Sequence, residues 1–186
     1  MRMTTTTTLI SRSAWYDRWT KPTLSMLVEP LKAHHRRQFV HIIEKLDALE
    51  HVEKTILWYG PSWRWTIGYS FIPPAVTRSS RNGNGKTVPP PTEPEIVCYL
   101  VPNVDNPLVC VPLRADEATA LCAVTGKNAL GRYVKEGVAT AKCAVQTRWA
   151  TWGPATENET MQILDLLRRK YELLRNSHPT GNPQDN

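Results

Sequence analysis

Apolar residues first recur at helical spacing. Over 22–50, Leu24, Leu27, Val28 and Leu31 form one stripe, and Phe39, Ile42, Ile43, Leu46 and Leu49 form a second at i, i+3, i+4, i+7 and i+10. That spacing gathers them on one side of an α-helix. Thr20 or Thr23 supplies a cap. Pro30 lacks an N–H and crowds the preceding turn, so a kink or break is predicted between the two stripes. From Val52 the period falls to two. Residues 55–59 read as a strand, Gly60-Pro61-Ser62 as a turn and 63–72 as a second strand. Residues 96–101 and 108–113 are apolar on both sides and predict a hairpin of covered, central strands.

Helix formers with an acidic first turn predict a helix over 116–124, and 128–136 predicts a short one closed by Gly137. The alternation of Ala141, Cys143, Val145, Thr147 and Trp149 predicts one strand over 140–152. Thr156-Glu157-Asn158-Glu159 is a capping box. It opens a helix on which Met161, Leu164, Leu167, Tyr171 and Leu174 share a face. Strands in runs joined by short turns predict an α+β fold, a largely antiparallel sheet of about five strands with amphipathic helices packed on it. It forms a single domain over 14–175, with a proline/glycine-rich loop insertion at 73–94 and disordered tails at 1–13 and 176–186.

At 186 residues and 41% hydrophobic, the chain has material for one core. The formal charge of +6 is spread along the sequence rather than gathered in one arm. That pattern reads as a mildly basic solvated surface, and nucleic acid is not the favoured partner. Cysteines stand at 98, 110, 122 and 143 without a C-x-x-C pair. They lie in apolar runs, where reduced thiols act as small hydrophobes, so neither a zinc site nor a disulfide framework is read. The opening threonine tract has no secretory pattern, which predicts a cytoplasmic protein. No run reaches the roughly 18 apolar residues of a membrane span.

Several motifs raise chemistry that their context refuses. Residues 80–87 fit a phosphate-binding loop except for Ser80 in place of glycine, but Val88-Pro89-Pro90-Pro91 follows, and three prolines cannot propagate the required helix. Residues 89–94 read as a stiff polyproline spacer. His34, His35 and His41 lack metal-ligand spacing and read as solvated, so no metal is assigned. No nucleophile elbow, activated cysteine or apolar carboxylate pair is found, so no catalytic residue and no cofactor are assigned.

What remains is aromatic. The chain has seven Trp against two Phe. Trp58, Tyr59, Trp63 and Trp65 crowd one turn, and Arg148, Trp149 and Trp152 end the last strand. Strand alternation puts Trp63 and Trp65 on one face and Arg64 on the other. The candidate ligand-binding residues are Tyr59, Trp63, Trp65, Arg148 and Trp149, a groove suited to a planar or anionic ligand. The plainer reading is a tryptophan-rich mini-core beneath the turn. The functional expectation is a non-catalytic module that binds a small ligand or a protein partner. Weak nucleic-acid binding, with bases stacked on Trp63 or Trp152, is the second reading. An enzyme assembled from distant residues such as Tyr59, Arg148 and Asp116 is the third.

Trp58-Tyr59-Gly60 through Trp65-Thr66-Ile67-Gly68-Tyr69, then Tyr99-Leu100-Val101-Pro102, 109–118, and Arg148-Trp149 before the last helix resemble the bacterial family named domain of unknown function 3788. The likeness runs from about Trp19 to Leu174. It implies a small α+β fold and brings no activity or catalytic residues with it. The family usually carries glycine directly before the Trp of the second strand, where this chain has Arg64, and its connection at 73–94 is shorter.

Overall fold

The computed structural model describes residues 14–74 and 93–178. The expected tail at 1–13, the 80–87 motif and most of the insertion at 73–94 lie outside them, as do residues 179–186.

The break at Pro30 divides the first helical span. Helix α1 is Leu24–Val28, with Met26 N donating to Thr23 Oγ1 at 3.4 Å, and α2 is Ala33–Asp47. A sheet of six antiparallel strands follows: β1 (Val52–Trp58), β2 (Trp65–Phe71), β3 (Glu95–Val101), β4 (Leu108–Arg114), β5 (Lys142–Ala144) and β6 (Thr147–Trp152). Their order across the sheet is β1-β2-β3-β4-β6-β5. Helix α3 (Gly60–Trp63) is a single turn between β1 and β2. Helices α4 (Ala115–Ala123) and α5 (Arg132–Ala139) lie between β4 and β5, and α6 (Glu157–Ser177) closes the described chain. The capping box at its start is formed: Glu159 N donates to Thr156 Oγ1 and Thr156 N to Glu159 Oε2.

The fold is therefore α+β, and its differences from expectation are local. The alternation over 140–152 runs through a two-residue turn at Val145 (φ 47°) and Gln146 (φ 65°), so one expected strand becomes the β5–β6 hairpin. The second short helix begins at Arg132, and Gly137 lies within it rather than closing it. A Cβ there would stand 2.0 Å from Trp152 Nε1, so α5 can approach β6 only with glycine at this position. Helix α6 runs through residues 176 and 177, which were expected to be tail.

Residues paired in register share a sheet face. Trp65, Ile67, Tyr69, Phe71, Leu100, Val109, Val111, Leu113, Ala150 and Trp152 face the helices. They join Phe39, Ile42, Ile163, Leu166 and Leu167 in the core. Tyr69 Oη donates to Asp47 Oδ1 at 3.0 Å, the Phe71 and Tyr171 rings meet edge-on at 5.9 Å, and Trp152 Nε1 donates to Tyr133 O at 3.3 Å. Strands β3 and β4 pair only from Tyr99/Cys110 to Val101/Leu108. Beyond that point Pro112 has no N–H to offer a ladder, and the buried Lys170 ammonium of α6 donates to its carbonyl oxygen.

Candidate functional site

The described tryptophans sort into groups on the two sides of the sheet. On the helix side, Trp58 and Trp65 are register partners with rings edge-on at 5.7 Å. Trp65 Nε1 donates to Asp17 O at 2.7 Å, and Trp15 Nε1 donates to Trp65 O at 3.1 Å. Trp152 is buried separately against α5. Each buried indole N–H thus finds a carbonyl, as its burial requires.

On the opposite side, four rings from three separated stretches of chain meet: Tyr59, Trp63, Tyr99 and Trp149. Tyr99 is the hub, 4.9 Å from Tyr59, 5.6 Å from Trp63 and 6.2 Å from Trp149, nearly parallel to the last at 17°. Trp63 closes the group, edge-on to Trp149 at 6.0 Å. Tyr99 is buried, Trp63 and Trp149 are half-buried, and Tyr59 is 37% exposed. The register explains the gathering. Tyr99 pairs with Gly68 on one side and Cys110 on the other, and Trp149 pairs with Pro112. Gly68 leaves bare backbone beneath the Tyr99 ring, whose Cδ1 would lie 3.5 Å from an added Cβ. Leu57, 47% exposed on the edge strand, shares this face by its pairing with Thr66, as Lys142 does by its pairing with Trp149.

The expected groove is therefore redrawn. Tyr59, Trp63 and Trp149 come together, whereas Trp65 and Arg148 lie on the helix face, Arg148 in register with Leu113. The cause is local. Gly60-Pro61 starts a helical turn with proline in its first positions, and Arg64 follows at φ 51°, ψ −134°. That reversal breaks the alternation between positions 63 and 65 and sends their rings to opposite faces. The position where the resembled family carries glycine is thus one with positive φ. Sequence reasoning missed Tyr99. Its signal was a lone glycine inside β2, which asks for a large neighbour across the pair.

The chemistry of this face is stacking and contact. Burial, then the hydrogen bond with Tyr59, pushes the Tyr99 phenol well above its ordinary value, the reverse of an activated phenolate. Burial pushes the Cys98 and Cys110 thiols up to about 12, so both are inert. Tyr59 and Arg148, two members of the distant-residue reading, lie on opposite faces, and Asp116 sits 3.7 Å from Arg114 Nε. No helix among the described residues is long and apolar enough to cross a membrane. No family model, no curated protein and no solved structure matches the chain.

Proposed function

We propose that this chain is a non-catalytic binding module whose contact surface is the aromatic sheet face of Tyr59, Trp63, Tyr99 and Trp149. Its ligand is a planar apolar group, carried by a small molecule or displayed by a partner protein. The observation that supports this is the meeting of four rings from three stretches of chain on the face opposite the helices, with Tyr59 exposed and Trp63 and Trp149 only partly buried. Indoles and phenols bring large rigid contact area at small entropic cost, which is why they dominate the energetics of contact surfaces. Leu57 beside the cluster extends the apolar area.

A second reading, single-stranded nucleic acid stacked on the same rings, is favoured by Lys142 in register beside Trp149. Four free cysteines, two of them buried, go with a reducing, cytoplasmic setting. Membership of the domain of unknown function 3788 family is proposed with this reading, on the aromatic motifs quoted above.

The experiment is a tryptophan-fluorescence titration with a panel of planar aromatics, aromatic peptides and an oligothymidine. Saturable binding that weakens by about tenfold or more in Trp63→Ala and Trp149→Ala is expected. Oligothymidine binding that fades with salt and in Lys142→Gln would move the assignment to the second reading. Silence across the panel, or binding unchanged in both variants, refutes the platform.

A further inference from the structure

Arg64 combines two costs at one residue. Its backbone holds φ 51° and ψ −134°, a conformation that suits glycine and strains any residue with a Cβ. Its guanidinium is a permanent charge set among rings, 3.6 Å from the Tyr16 centroid and 4.7 Å from that of Trp15. Nε donates to Pro61 O at 3.2 Å, but Nη1 is shut from solvent and has no hydrogen-bond partner among the described residues. None of the ion pairs among those residues includes Arg64. The sequence of the remaining stretches contains a single acidic side chain, Asp185. A buried, charged donor without an acceptor is expensive, and strain of this kind concentrates where a side chain must be aimed.

We propose that Arg64 is the receptor of an oxyanion-binding site, with the Trp15 and Tyr16 rings holding its guanidinium in place for a carboxylate or phosphate group. The fork of a guanidinium matches two oxygens of such a group, and stacking on rings orients it before binding. The two walls differ in exposure. Trp15 is buried and pinned through Nε1 to Trp65 O. Tyr16 is 52% exposed, so its side of the guanidinium is the one nearer solvent, from which an anion would approach. The next residues, Arg18 stacked 4.0 Å from the Trp19 ring and Trp19 itself 81% exposed, continue the same cationic and aromatic surface. The site is separate from the four-ring platform and does not depend on that platform having a ligand.

The test is thermal unfolding of the full chain with inorganic phosphate and, in a parallel series, acetate, each replacing chloride at constant ionic strength. A ligand that binds only the native state raises the midpoint in a saturable way. At least one anion is expected to give that rise, and the stronger of the two identifies the group. Arg64→Gly, which suits the backbone, is expected to abolish it. Arg64→Lys keeps the charge without the fork and is expected to weaken the midpoint response by about tenfold in apparent affinity; it also carries the test should the glycine variant not fold. Arg148→Gln, on the helix face, is expected to leave the response intact. A flat response to both anions in the native chain, or an undiminished response in the glycine or lysine variant, overturns the proposal.

Discussion

Lys170 shows how one buried charge sets the pH response of the whole fold. Burial lowers its pKa from 10.5 to about 8, against the attraction of Glu117 and other neighbours. Between those values the unfolded chain binds a proton that the native protein has released, so native stability rises with pH from about 8. The thiols act in the other direction. Cys98 and Cys110, pushed from 9 up to about 12, keep protons that the unfolded chain loses, so they subtract stability above pH 9. One group gains where two lose. Urea unfolding across pH 7.5 to 10.5 is therefore expected to show stability climbing between 8 and 9 and falling beyond. Lys170→Met should remove the climb and keep the fall. A monotonic decline in the parent protein from pH 8 would contradict the buried, depressed amine.

At the scale of elements, what the sequence made legible was the set of strong periodicities. Phe39 through Leu49 announced α2, Thr156 to Glu159 announced the start of α6, and Pro30 announced the break, because each signal is local and agrees with its tertiary setting. The failures fall where backbone reversals hide inside an unbroken side-chain pattern. Alternation from Ala141 to Trp149 looks like one strand because spacing does not register the two-residue turn, which puts Cys143 in register with Arg148 and sends Thr147 and Trp149 to the other face. Trp63 and Trp65 look like neighbours on one face because spacing does not register the turn at Gly60–Trp63 or the positive φ of Arg64. Half of the candidate site was thus readable as a ring-rich turn, and the hub at Tyr99 depended on pairing across strands that no local pattern encodes. The same hairpin yields a prediction. Val145 is β-branched, 97% exposed and held at φ 47°, with Gln146 at 65°. Turns of this kind favour Asn-Gly. The double change Val145→Asn with Gln146→Gly is expected to stabilise the protein by about 1 kcal/mol through relief of strain, measured as a higher urea midpoint at unchanged m. A lower midpoint would show that the exposed valine serves the fold in some other way.

For the molecule as a whole, the arrangement is one of division. Helices cover one side of the sheet with the core, and the other side carries an aromatic surface whose rim residues Tyr59 and Trp63 are less buried than its hub Tyr99. Substitutions at Tyr59 or Trp63 should therefore be felt in binding more than in stability, whereas those at Trp65 or Trp152 should be felt in stability. The strand order carries a further consequence. β2 and β3 are sequence neighbours paired side by side, with Phe71 opposite Glu95, so the stretch between them leaves and re-enters the sheet at adjacent positions. Closing a chain over such a short span costs only slowly more as it lengthens. Exchanging 75–92 for a short glycine-serine linker is expected to leave the melting temperature within a few degrees. Loss of cooperative melting would show the segment to be a structural part of the domain. Where two ends meet so closely, the architecture tolerates cargo: a tag, a reporter or a second small domain spliced between β2 and β3 would ride on the sheet without altering its register.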